Sequence, residues 1–183
     1  MITYIKGDAS RPYELFPGHP VYVIAHVTNT LPIYGAGFAK AIRELYPIAA
    51  ETHLKSSRNR RLGFNVECEC LLHYNLFEDY EDRTIMYPKI GTGTAYVHVV
   101  NMTAQQGTRS KNNPIPLQYN ALEKCLYELK DYMDDNFGEK IPVHMPKIGS
   151  GLAGGSWPLI ETMINAVLPN NNIYVYEYNP MEG

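Results

Sequence analysis

Apolar and polar positions change their period several times along this chain, and each change marks an element. Residues 2–6 (ITYIK) and 21–27 (VYVIAHV) read as strands, the second apolar almost throughout, as in a strand buried on both faces. GFAKAIREL at 37–45 follows a helical period and ends near Pro47. NVECECLLHY, DRTIMYPKI and AYVHVVNM supply three more β-rich runs. In the first of them, alternation puts Val66, Cys68, Cys70 and Leu72 on one face and His73 on the other. LQYNALEKCLYELKDYMDDNF predicts a long helix with Leu122, Leu126, Leu129 and Met133 as its apolar stripe and Gly138 beyond its end. IPVHMPKI predicts a strand, and WPLIETMINAVL a helix whose stripe is Trp157, Ile160, Ile164 and Val167. NIYVYEY closes the sheet. Strands alternating with helices imply one α/β layered domain over residues 1–183, with helices packed on a central mixed sheet.

Two octapeptides nearly coincide, PKIGTGTA at 88–95 and PKIGSGLA at 146–153, and their surroundings separate them. The first lies between two β-rich runs, so its Gly-Thr-Gly-Thr reads as the turn of a hairpin. The second follows a strand and opens into an amphipathic helix, an arrangement that presents backbone N–H groups and a helix N-terminus to an anion. There Gly149, Gly151, Gly154 and Gly155 allow close backbone approach, Ser156 is placed to cap the helix, and Pro158 falls in its first turn. The run HVTNTLPIYGAGFAKAI repeats this logic at Gly35, Ala36 and Gly37. Two such loops at one sheet edge suggest a ligand with two linked phosphates. GAGFAK lacks the third glycine of the dinucleotide fingerprint, and no GxxxxGK[ST] run is present.

Composition narrows the class further. At 183 residues with 45% hydrophobic and 19% charged residues, the chain can bury a core of its own. Its net charge of −3 argues against a general nucleic-acid-coating protein, and no apolar run approaches a membrane span of about 18 residues. Three cysteines without a CxxC pair, and a start with no secretory pattern, lead to the expectation of a reducing, cytoplasmic setting. The basic run KSSRNRRLG reads as a solvated loop, and no metal or other cofactor is expected.

KGD at 6–8, the run from His26 to Ile42, NMTAQQG at 101–107 and HMPKIGSGLAGGSW at 144–157 stand in an order that resembles the macro domain family, and NMTAQQG resembles a segment of small bacterial and bacteriophage members. The resemblance implies a three-layer α/β/α fold that binds ADP-ribose or an ADP-ribosyl derivative, with nucleic acid a partner only where it is ADP-ribosylated. It implies that Asp8, with Ala9 beside it, meets the adenine amino group, and that Asn29 holds the distal ribose. Gly35, Ala36, Gly37 and Phe38 would form the first phosphate loop, and Gly149, Ser150, Gly151, Leu152, Ala153 and Gly154 the second. Phe38, Tyr34 and Tyr178 are candidates for the aromatic wall. As in the family's ADP-ribose 1''-phosphate phosphatases, a histidine begins the HxxN segment, so His26 is the candidate proton carrier, with Asn29 and Gln105 as its catalytic companions. The family's ADP-ribose glycohydrolases carry an acidic residue where Ala153 stands and a lysine near Gln105, so their covalent route is not expected. Two readings stay open: a hydrolase of the 1''-phosphate or a related ADP-ribosyl derivative, on modified protein or nucleic acid included, and a module that binds ADP-ribose without turnover.

Overall fold

The computed structural model describes residues 1–55, 60–76 and 91–178 and contains one six-stranded sheet. Its strands are β1 (Ile2–Lys6), β2 (Val21–Asn29), β3 (Phe64–Leu76), β4 (Gly91–Gln105), β5 (Val143–Pro146) and β6 (Ile173–Glu177), in the spatial order β1-β6-β5-β2-β4-β3. All neighbours pair in parallel except β3, which runs antiparallel to β4 at the edge. The sheet is therefore mixed, as the alternation predicts, and β6 lies inside it between β1 and β5 rather than closing it.

Helices cover both faces. One layer is α4 (Tyr119–Asn136) and α5 (Trp157–Val167), whose stripe residues Leu122, Leu126, Leu129, Met133, Ile160 and Ile164 are fully buried on Val23, Ala25, Val100 and Met145. The other is α1 (Pro12–Leu15), α2 (Gly37–Leu45) and α3 (Pro47–Lys55), packing Ile42, Ala49 and Ala50 against Tyr22, Ile24, Val97 and Val99. Successive residues of β2 feed the two cores alternately, which explains its unbroken apolar run. Pro47 ends α2 and also opens α3, which the sequence pattern missed because proline is as suited to a first helical turn as to a stop. No helix among the described residues is long and apolar enough to cross a membrane.

The first octapeptide is not a turn where it is visible. Gly91 to Ala95 belong to β4 and pair with β3, Gly93 standing opposite Tyr74. A methyl group on Gly93 would lie 2.4 Å from the Tyr74 ring, so the glycine makes room for a buried aromatic on the neighbouring strand. The strand expected at DRTIMYPKI lies outside the described residues. The alternation of Val66, Cys68, Cys70 and Leu72 holds, the cysteines are free and buried, and no metal-binding cluster occurs among the described residues. Of the basic run, Arg60 bonds the carbonyls of Thr30 and Leu54, while Arg61 lies 5.0 Å over the Phe64 ring. These two arginines serve packing.

Replacing Gly93 by Ala forces Tyr74 or the strand to move and should lower stability by about 1–3 kcal/mol. Urea denaturation measures this; an unchanged midpoint would rule out the tight cross-strand contact.

Candidate functional site

Parallel strands end at a common edge, and there two cavities meet. The larger, about 790 Å³, runs from the end of β2 (His26, Asn29) past Gln105 and the first loop to residues 146–149 and 151–153. The smaller, about 440 Å³, lies over Asp8, Ala9, Tyr176 and Tyr178. Gly37, Phe38 and Pro146 line both, so they form one groove.

The first loop enters α2 through Ala36 in an extended conformation and Gly37 at φ +56°, which only glycine adopts without strain. The first-turn N–H groups of α2 then open on the groove, with the positive end of the helix dipole behind them. Phe38 packs its ring against His26 at 5.5 Å.

The glycines of the second loop divide by task. Those of residues 149, 154 and 155 serve close packing: a methyl group on them would lie 2.9 Å from Leu117 Cδ1, 3.0 Å from the Pro114 carbonyl and 2.3 Å from Leu117 Cδ2. Gly151 alone of these faces open space. Ser150, Gly154 and Gly155 spend their N–H groups on carbonyls of Lys147, Gly151 and Gly149. Those of Gly151, Leu152 and Ala153 have no acceptor among the described residues, and the three line the groove. Ser150 and Gly154 do not line it; the Ser150 hydroxyl is bound to the Lys147 carbonyl. Ser156 occupies the N-cap of α5 without a side-chain cap bond, its N–H donating instead to the Tyr119 hydroxyl. Leu152 reaches across the groove, its Cδ1 3.5 Å from where a methyl group on Gly37 would lie, so the loops face each other at contact distance.

At the small end, Asp8 Oδ1 accepts from the N–H and hydroxyl of Ser10, which fixes the carboxylate and leaves Oδ2 without a partner among the described residues. Ala9 is buried beside it and Tyr178 is exposed at the rim. At the large end, Asn29 is already engaged: its Oδ1 accepts from the N–H of Leu31 and of Gly107, and its Nδ2 donates to the Gly107 carbonyl. Gln105 Nε2 donates to the same carbonyl at 3.0 Å. Asn29 thus ties the end of β2 to the turn after β4, with one Nδ2 hydrogen left over.

His26 differs most from the sequence expectation. It is 1% exposed, and its Nε2 lies 2.9 Å from Asn101 Oδ1 and 2.8 Å from the Tyr34 hydroxyl, while Nδ1 has no partner. Burial pushes its pKa down to about 3, so it is neutral at physiological pH and does not titrate there. Tyr34 is buried with its hydroxyl in this knot and also lines the larger cavity. Asn101, a polar residue inside the apolar run AYVHVVNM, carried a signal that the sequence reading passed over. Arg43 of α2, which also lines the groove, carried none.

Three of the four histidines buried among the described residues make stability sensitive to acid. Burial holds His26 and His144 down at about 3 and His53 at about 4. The unfolded chain binds protons to each below about pH 6.5 while the folded chain does not, so stability present above that pH is lost as pH falls. From pH 7 to about pH 5 the loss should reach about 2 kcal/mol per histidine. Melting temperature against pH tests this, and His144→Gln should flatten the dependence; a flat curve in the parent chain would refute it.

No family model matches the chain. It is 23% identical to an uncharacterized protein of Enterobacteria phage T4 from the tk-vs intergenic region, over 99% of both chains. It is 25% identical to the ADP-ribose 1''-phosphate phosphatase of Candida glabrata, over 96% of this chain and 98% of that one. A solved macrodomain protein from Streptomyces coelicolor superposes with a TM-score of 0.65 at 26% identity, covering 98% of this chain and 100% of the other. With the three-layer fold, the strand order and the paired loops at one sheet edge, this likeness extends the resemblance to macro domains over nearly the whole chain.

Proposed function

We propose that the groove binds ADP-ribose lengthwise, adenine over Asp8 and distal ribose over the end of β2. The observation that carries this reading is the pair of N–H-bearing loops facing each other across a groove whose two cavities share Gly37, Phe38 and Pro146. A diphosphate between them accepts from the first turn of α2 on one side and from Gly151, Leu152 and Ala153 on the other. Asp8 Oδ2 accepts from the adenine amino group, with Phe38 and Tyr178 along the base. The phosphatase named among the relatives supports the same ligand class. A macromolecule, nucleic acid included, enters only through an ADP-ribosyl group that it carries.

A second reading, hydrolysis of ADP-ribose 1''-phosphate, is favoured by that relative. Water oxygen attacks phosphorus, the bond from phosphorus to the ribose oxygen breaks, and ADP-ribose and inorganic phosphate leave. Among the described residues, those lining the larger cavity include no Asp or Glu, and His26 is neutral in its buried setting. The protein's share is then orientation by Asn29 and Gln105 and stabilisation of charge by the loop N–H groups, while the water's proton passes to the substrate's own phosphate.

Calorimetric titration with ADP-ribose should give micromolar binding, about −8 kcal/mol, that Asp8→Ala weakens at least tenfold. No heat with the parent chain would overturn the ligand assignment. Phosphate release from the 1''-phosphate should break only with the substrate phosphate's own ionisation at about pH 6, a profile that does not depend on His26. A break near neutral pH that disappears in His26→Gln would restore histidine as the proton carrier.

A further inference from the structure

The knot beneath the groove joins three elements that the binding site needs in register. Tyr34 immediately precedes Gly35, Ala36 and Gly37, and its hydroxyl reaches down to His26 on β2 and Asn101 on β4. Asn101 is fully buried and its orientation is determined, because Nδ2 donates to the carbonyls of Val66 at 3.2 Å and Ala49 at 3.4 Å. Its Oδ1 therefore faces Tyr34 and His26, and an amide oxygen can only accept. The Tyr34 hydroxyl donates to it, and the His26 nitrogen 2.9 Å away must carry a hydrogen to avoid opposing lone pairs. The proton of neutral His26 is thus on Nε2, and the unpartnered Nδ1 is bare.

We propose that Tyr34 and Asn101 are positioning residues of the phosphate site: through one buried hydroxyl they clamp the first loop to the ends of β2 and β4 and fix His26 as its Nε2–H tautomer. This rests on the ADP-ribose reading and deepens it. The clamp explains why a tyrosine is fully buried directly before a glycine turn, and why its oxygen is not left for the ligand. Around the His26 ring stand Asn101 of β4, Tyr34, His53 of α3 and Phe38 of α2, with Cys68 and Cys70 of β3 beside Tyr34, so that among the described residues no carboxylate acts on the knot. The clamp acts through Tyr34, which lines the larger cavity and not the one over Asp8, although Gly37 and Phe38 of the loop line both.

The test compares two ligands on two proteins. Tyr34→Phe keeps the buried ring and removes only the hydroxyl; it should bind ADP-ribose about tenfold more weakly than the parent, the loss of about one buried hydrogen bond. Binding of AMP, which occupies the Asp8 end and only the edge of the loops, should stay within twofold. Equal ADP-ribose affinity in the variant, or a parallel loss for AMP, would overturn the clamp. Failure of the parent to bind ADP-ribose would instead remove the ligand assignment beneath it. Long-range ¹H–¹⁵N correlation spectra of His26 in the parent protein give a readout that needs no substitution. The Nε2–H tautomer is expected, and an Nδ1–H pattern would overturn the proposal.

Discussion

Burial of β2 on both faces is the constraint from which the rest follows. Residues 22–26 are all buried, with alternate side chains committed to opposite cores, so the strand cannot slip by one residue without exchanging both sets. Parallel pairing on both sides then sends the ends of β5, β2 and β4 to one edge, and the loops that leave them must meet. At that edge β2 and β4 lose register, Thr28 facing Thr103 but Asn29 facing Gln105. Asn29 bridges the irregularity by bonding both the N–H and the carbonyl of Gly107. Asn29, two residues past the apolar run, is therefore the stitch that keeps two strand ends together, and it lines the groove.

What the chain revealed in advance was whatever depends on period. The strands β1, β2 and β6 and the stripes of α4 and α5 were legible because side-chain burial repeats at 2 or 3.6 residues. The two loops were legible because glycines between a strand and a helix admit few structures. Three things were not legible. The second role of Pro47 escaped because a helix end and a helix start place the same demand on proline. The division of labour among Gly149, Gly151, Gly154 and Gly155 depends on Leu117 and Pro114, more than thirty residues away. The protonation of His26 depends on what covers it, and no local pattern reports that.

The two octapeptides make the same point from a shared starting sequence. In β4, Gly93 is extended and gives its space to Tyr74 from the opposite strand; in the second loop, Gly149 and Gly154 take positive φ and Gly151 opens on the groove. The repeats differ at two places, Thr92 against Ser150 and Thr94 against Leu152. What decides is the partner available: β3 offers Gly91 to Ala95 a continuous ladder, whereas residues 147–153 follow a four-residue strand and leave the sheet at its edge. A backbone donor without a ladder must bond within its loop, to water or to a ligand. In the second loop some donors turn inward to Lys147, Gly149 and Gly151, and those of Gly151, Leu152 and Ala153 do not.

That remainder shapes the chemistry. The large end of the groove offers backbone donors, two carboxamides, the Arg43 guanidinium, the Lys147 ammonium paired with Glu177, and a histidine held neutral by burial. Such a set suits the recognition of a phosphorylated ribose, because dipoles fixed before a ligand arrives need no reorganisation. It supplies little for proton transfer, since carboxamides do not ionise in water and His26 would have to leave its knot to titrate near neutral pH. Binding and turnover therefore separate physically in this site. On the proposed reading, affinity follows from the loops and their clamp, whereas hydrolysis draws its base from the substrate itself. On that reading a substrate with an ionisable phosphate near the scissile bond supplies the base, so that a phosphate ester at the distal ribose suits this groove better than an ADP-ribosyl group on a neutral acceptor.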